Sequence, residues 1–220
     1  RLASISILHK TKGHYIDTKH PIIMENLMGI KRTNGSNQKG KKPLLINDLK
    51  LLINAIHESN EKDKRKIRDK ALVLIGFSGG FRRSELVDIE YEDLEFVSEG
   101  VKIFVKRSKT DQSGEGMTKA IPYFDNKKFC PVIALKTWIE ICELKKGKIF
   151  DISDKSVALV IKKYANYAGL DGHRYAGHSL RSGFATSTAE SGAEERNIMA
   201  MTGHKSTEMV RRYIKEANLF

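Results

Sequence analysis

The sequence predicts an α+β fold that is mainly helical, with a small antiparallel sheet near residues 94–123. Apolar residues recur every three or four positions along most of the 220-residue chain, which is typical of amphipathic helices. Over residues 101–105 the period changes to two, because apolar side chains alternate with Lys102 and Phe104, as in a half-buried strand. A polar, glycine-containing stretch follows, and residues 120–123 predict the returning strand.

The chain divides into three predicted segments. Residues 1–30 carry helical patterns too short for an independent core, so we interpret them as the C-terminal remnant of a helical domain. Residues 31–42 are polar, basic and glycine-containing, which predicts a linker. Residues 43–220 have the apolar patterning of one domain with its own core.

The charge balance predicts a polyanionic partner. Lys and Arg number 39 against 27 Asp and Glu, giving a net charge of +12, which favours nucleic acid first and an anionic membrane surface second. No apolar run approaches the roughly 18 residues that a membrane span requires, so we expect no membrane association. With only Cys130 and Cys142 present, we expect buried thiols in a reducing compartment, the cytoplasm.

Two motifs carry arginines in positions suited to phosphate. Arg82 and Arg83 follow a pair of glycines, where the backbone can approach a ligand closely and a guanidinium can donate two hydrogen bonds. His178 and Arg181 stand three residues apart on one helical face, near a helix N-terminus that attracts anions. Taken alone, an exposed arginine and a capping histidine are the better explanations of these patterns.

Two further positions complete a possible reactive set. Lys109 lies in the turn after the first strand, and His204 precedes Tyr213 by nine residues. A solvated lysine and a core tyrosine are the plainer explanations of each one alone. Together, arginines that offset phosphate charge, a histidine or lysine that moves protons and an attacking tyrosine predict phosphoryl transfer with no metal and no cofactor. The acidic run over residues 90–95 favours a solvated segment over a metal site, because no histidine joins it at ligand spacing.

These motifs resemble those of the tyrosine recombinase, or phage integrase, family. They are Gly80-Phe81-Arg82-Arg83-Ser84-Glu85-Leu86, His178-Ser179-Leu180-Arg181, and Gly203-His204 followed by Tyr213. Their order and spacing resemble the family's catalytic domain from about residue 43 to 216, and residues 1–30 resemble the end of its helical core-binding domain.

The resemblance implies a role for each residue around the scissile phosphate. Arg82 and Arg181 would grip it, with Glu85 as a supporting carboxylate and Arg83 as the competing arginine of the pair. The remaining implied roles are proton transfer and phosphate binding by His178 and His204, general acid to the leaving 5′-oxygen by Lys109, and nucleophile by Tyr213.

The implied function is a site-specific DNA recombinase or integrase that cuts and rejoins DNA through a 3′-phosphotyrosyl intermediate. Its implied partners are double-stranded DNA and further copies of the chain, as a tetramer on paired sites, in a bacterial or phage setting. The alternatives are a type IB topoisomerase-like nicking-closing enzyme and a DNA-binding module without catalysis. We also expect the basic cluster of the predicted linker to contact the DNA backbone: Lys31, Arg32, Lys39, Lys41 and Lys42.

Overall fold

The computed structural model describes residues 2–35, 40–106, 115–204 and 206–217. The chain forms two compact units, residues 1–40 and 41–220. The described residues are mostly helical and include a small antiparallel sheet, so the predicted fold class is confirmed. In these ranges no helix is both long and apolar enough to cross a bilayer.

Unit 1 contains helices α1 (Leu2–Thr11) and α2 (Pro21–Asn34), neither of which holds a buried residue. Helix α2 continues past the predicted start of the linker, so Lys31 and Arg32 lie in its last turn. The sequence explains this difference, because Lys and Arg are good helix formers and the first residue that breaks the helix is Gly35, at φ 70°.

Unit 2 is built around helix α4, whose buried positions lie on all sides, as expected of a helix at the centre of a domain. Helices α6 and α8 pack against α4, and α7 packs against α3 and α5. The helices of its described part are α3 (Ile46–Glu58), α4 (Asp63–Ser78), α5 (Arg83–Asp88), α6 (Pro131–Cys142), α7 (Asp154–Tyr167), α8 (His178–Glu190), α9 (Glu195–Thr202) and α10 (Thr207–Ala217).

The sheet of unit 2 consists of β1 (Leu94–Phe96), β2 (Gly100–Val105) and β3 (Met117–Pro122), antiparallel in that order. Strand β1 was not predicted individually, because three residues are too few to establish a period of two. Ile103 on β2 pairs with Lys119 on β3. Since side chains alternate along β3, Lys119 and Ile121 both face the core.

A second, smaller core attaches the C-terminal helices to the domain. Ala185, Ile198, Val210 and Tyr213 pack together, which joins α8, α9 and α10. Packing of α10 against α8 and α9 therefore fixes the position of Tyr213, whose hydroxyl lies near His178 at the start of α8. Of the two cysteines, Cys130 is buried as predicted, whereas Cys142 is only half-buried; both are free thiols.

Candidate active site

The first arginine motif forms a tight turn that leads into helix α5. Gly79 and Gly80 follow α4, and Gly80 adopts φ +54°, where a Cβ would lie 2.8 Å from the Phe184 ring. Arg82 follows this turn and donates two hydrogen bonds to the buried Glu85 carboxylate. The backbone N–H of Arg82 donates at 3.0 Å and its guanidinium at 2.5 Å. The carboxylate therefore fixes both the backbone and the side chain of Arg82.

Arg83 points elsewhere. Its Nε lies 3.0 Å from the Asp154 carboxylate at the start of α7, and its side chain is half exposed. The two adjacent arginines thus belong to different environments, and Arg82 is the one held beside Glu85 and near Arg181.

Arg181 is a buried cation, and one of its donors has no partner among the described residues. It is 1% exposed, and its Nη1 donates to the Gly80 carbonyl at 3.0 Å. Its Nη2 is buried with no hydrogen-bond partner among the described residues. Burial, followed by the charge of Arg82, lowers the pKa of Arg181 to about 10, so the guanidinium is still charged at neutral pH. Because leaving a buried charged donor unpaired is costly, an anionic oxygen is the natural partner for Nη2.

His178 opens helix α8 and meets the tyrosine of α10. Its Nε2 lies 3.3 Å from the Tyr213 hydroxyl. Although the residue as a whole is exposed, groups packed around the ring lower its pKa by desolvation, and Arg181 and Arg82 lower it further. A neutral imidazole of this kind can accept the proton of the phenol.

His204 also lies next to Tyr213. Gly203 ends α9 with φ +64°, the left-handed conformation that turns the chain toward His204. The His204 ring centroid is 5.9 Å from that of Tyr213, and Nδ1 lies 2.8 Å from the Thr202 hydroxyl. Burial, then the charges of Arg181 and Arg82, lower its pKa to about 4, so the ring is neutral at physiological pH.

The structure also brings in a residue that the sequence reasoning missed. Lys119 is 0% exposed, and its Nζ lies 2.7 Å from the Gly79 carbonyl and 3.9 Å from Glu85. Burial lowers the pKa of Lys119 to about 7. The available signal was the alternation of β3, which places this lysine on the same face as Ile121. The predicted general acid Lys109 lies outside the described residues.

Comparison with known proteins identifies the family. The sequence profile of the Phage integrase family matches residues 43–219. The chain belongs to the phage integrase family. The resemblance found in the three motifs is therefore confirmed.

Relatives of this integrase-family chain agree with that assignment. An integrase/recombinase xerD homolog of Selenomonas ruminantium is 44% identical over 220 residues, covering 94% of this chain and 64% of that protein. A tyrosine recombinase XerD of Corynebacterium glutamicum is 30% identical over 174 residues, covering 74% of this chain and 53% of that protein. The chain thus spans between half and two thirds of the length of these relatives.

Solved structures share the fold. XerH site-specific recombinase bound to difH substrate matches with a TM-score of 0.67 at 20% identity, over 84% of this chain and 54% of that chain. The catalytic domain of bacteriophage HP1 integrase matches with a TM-score of 0.54 at 20% identity, over 81% of this chain and 89% of that chain.

The basic residues predicted to contact DNA are divided between the two units of this family member. Lys41 donates to the His173 carbonyl at 2.6 Å. Lys42 forms an ion pair with Asp48 at 2.9 Å, and that hydrogen bond raises the pKa of Lys42. Lys31 and Arg32 belong to unit 1, and Lys39 lies outside the described residues. DNA contact by Lys42 would have to compete with Asp48.

The acidic run of residues 90–95 forms ion pairs beside the sheet. Glu90 and Asp93 both form ion pairs with Lys106, at the end of β2. Within the described ranges, no three His, Cys, Asp or Glu side chains group in a way that suits a metal ion.

We expect Arg82→Ala to slow DNA cleavage far more than Arg83→Ala. Arg82 is held by Glu85 beside the other candidate residues, whereas Arg83 pairs with Asp154 at the surface. Loss of one preorganised donor typically slows a reaction by about a hundredfold or more. Single-turnover cleavage rates of the two variants test this, and the reverse order would show that Arg83 is the phosphate ligand.

The low pKa of His204 predicts acid destabilisation. An unfolded histidine titrates near 6.5 and the folded one near 4, so between these values the unfolded state binds more protons. The free energy of unfolding should therefore fall as the pH drops from 6.5 to 4, by at most about 3 kcal/mol from this residue. Denaturant unfolding across this range should show a flatter pH dependence for His204→Gln, and parallel profiles would contradict the assignment.

Proposed function

We propose that this chain is the catalytic part of a site-specific DNA recombinase that cuts and rejoins DNA through a 3′-phosphotyrosyl link. The observation that carries the proposal is the 3.3 Å distance from the Tyr213 hydroxyl to His178 Nε2. Arg181 lies on the same helix as His178, and its buried Nη2 has no partner in the part of the chain that the structure describes. A nucleophile, a neutral base and a charged anion ligand are what phosphoryl transfer requires.

In the proposed reaction, the Tyr213 oxygen attacks the scissile phosphorus while its proton passes to His178 Nε2. Arg82 and Arg181 hold the non-bridging oxygens and offset the charge that develops on them. The bond from phosphorus to the 5′-oxygen breaks, and that oxygen takes a proton, for which we propose Lys109 as the donor. His204, next to Tyr213, contributes to phosphate binding. In the reverse step a 5′-hydroxyl attacks the phosphotyrosyl link, which conserves the bond energy, so rejoining needs no ATP.

The proposed substrate is double-stranded DNA. The net charge of +12 supports it, since phosphate neutralisation supplies most of the affinity of proteins for DNA. The related XerH protein was solved bound to its difH substrate. We place the reaction in the bacterial cytoplasm. We further propose that four copies of the protein assemble on paired DNA sites, because strand exchange between two duplexes requires four cleavage events.

Two assays separate recombination from the alternatives. Recombination between two cognate sites on one plasmid should yield exchanged products, with the sites found by sequencing the DNA in trapped adducts. A type IB topoisomerase-like enzyme would instead relax supercoils without exchanging sites, and a DNA-binding module would bind without forming any adduct. Either of these results would replace the proposed function.

Cleavage should persist in EDTA. The charge on the phosphate is met by guanidinium groups, so no divalent ion is required to stabilise the transition state. The measurement is adduct formation on a suicide substrate with and without chelator. Cleavage that vanishes with EDTA and returns with Mg²⁺ would favour a metal-dependent nuclease.

A further inference from the structure

A lysine lies where the sheet calls for an apolar residue. Lys119 is on the core-facing side of β3, next to Ile121 in the alternation and opposite Ile103 on β2. Its side chain is 0% exposed. Since a buried ammonium loses its hydration, such a residue is retained without penalty only where specific partners replace the water.

The groups that contact the Lys119 ammonium lie in the turn between α4 and α5. Its Nζ donates to the Gly79 carbonyl at 2.7 Å and lies 3.4 Å from the Gly80 carbonyl. It also stands 4.4 Å from the centre of the Phe81 ring, within range of a cation–π contact. Three consecutive residues that immediately precede Arg82 are therefore held by one ammonium group.

Both phosphate-binding arginines share these supports. Arg181 Nη1 donates to the same Gly80 carbonyl at 3.0 Å. Glu85, which holds Arg82 at 2.5 Å, lies 3.9 Å from Lys119 Nζ. Lys119 therefore lies near the Gly80 carbonyl that binds Arg181 and near the Glu85 carboxylate that binds Arg82.

We propose that Lys119 is a positioning residue that holds the Gly79–Gly80 turn and Glu85 so that Arg82 and Arg181 meet the same phosphate. This inference rests on the proposed function. Lys119 acts through the two arginines and not on the substrate, because its ammonium is shielded from solvent and is engaged by backbone carbonyls.

The electrostatics agree with a role that depends on bound phosphate. Burial lowers the pKa of Lys119 to about 7, Glu85 opposes this, and Arg181 and Arg82 lower it further. A phosphate between the arginines would offset their charge and so favour the ammonium form of Lys119. The turn would then be held most firmly when DNA is bound.

Lys119→Met is the direct test, because methionine is similar in length and cannot donate a hydrogen bond. The matched control is Lys102→Met, a lysine of the neighbouring strand β2 that is exposed and pairs only with Glu95 among the described residues. We expect Lys119→Met to slow single-turnover cleavage of a suicide DNA substrate by about tenfold or more, with DNA affinity within about threefold of wild type. Lys102→Met should cleave at the wild-type rate.

A substrate with sulfur in place of the bridging 5′-oxygen distinguishes positioning from proton donation. A thiolate leaves without being protonated, so this substrate rescues a variant that lacks the general acid. The defect of Lys119→Met should persist on it. Rescue by sulfur would make Lys119 a proton donor and overturn the proposal, as would a wild-type cleavage rate of folded Lys119→Met on the normal substrate.

Two more variants keep the proposal testable if Lys119→Met does not fold, and thermal unfolding shows which variants are folded. Lys119→Arg keeps the charge and the donors, and should restore cleavage relative to Lys119→Met. Lys119→Gln keeps one neutral donor and should cleave at an intermediate rate; a wild-type rate for this variant would contradict the proposal. If neither the Met nor the Gln protein folds, Lys119 determines stability and the proposal is wrong. If wild type and Lys102→Met form no adduct at all, the proposed function fails instead.

Discussion

Tyr213→Phe should abolish covalent attachment to DNA while leaving folding and DNA affinity nearly unchanged. The substitution removes only the hydroxyl, which is the atom that attacks phosphorus in the proposed reaction. The ring keeps its packing against Ala185, Ile198 and Val210 in the core that attaches α10. The lost contact with His178 is one hydrogen bond, which is worth about 1 kcal/mol of stability.

The measurement is a denaturing gel of protein incubated with a labelled suicide substrate, together with a binding titration. Tyr167→Phe is a suitable control, because Tyr167 is 61% exposed on α7 and no hydrogen bond of its hydroxyl is found among the described residues. We expect the control to form the adduct as wild type does. An adduct formed by Tyr213→Phe would show that another residue is the nucleophile.

Arg181→Ala should slow cleavage by about a hundredfold or more, with a much smaller effect on DNA affinity. The guanidinium is preorganised by burial and by its bond to the Gly80 carbonyl, so it meets the developing charge without rearranging. Only the interaction that strengthens in the transition state contributes to the rate, whereas many other cations contribute to binding.

Arg181→Lys separates the geometry of this residue from its charge. A lysine keeps the positive charge but cannot donate to Gly80 and to a phosphate oxygen from two fixed nitrogens. We therefore expect slow cleavage for Arg181→Lys as well, with thermal unfolding to verify that the buried site tolerates both variants. A rate within about tenfold of wild type for Arg181→Ala would contradict the assigned role of the residue.

The sequence predicts the family and the architecture because those depend on local patterns. The helical periodicity, the alternation around Lys102 and each of the three motifs can be read from a short stretch of the chain. The predicted linker begins at Lys31 because polarity alone marks it, whereas α2 continues to Asn34 and ends before Gly35.

The rest depends on contacts between residues that are distant in the chain. The choice between Arg82 and Arg83 is supported by Asp154 on another helix, and Lys42 is engaged by Asp48 across the start of α3. The alternation of β3 indicates that Lys119 faces the core, but only the approach of β3 to the Gly79–Gly80 turn reveals which groups it holds. No local pattern contains that information.

The most direct test of the proposed chemistry is to identify the amino acid joined to DNA. Wild-type protein is trapped on a suicide substrate, digested with protease and nuclease, and the nucleotide-bearing peptide is sequenced by mass spectrometry. We expect the modification on Tyr213, joined to the 3′-phosphate of the cleaved strand. A link to a different residue, or to a 5′-phosphate, would contradict the proposed mechanism.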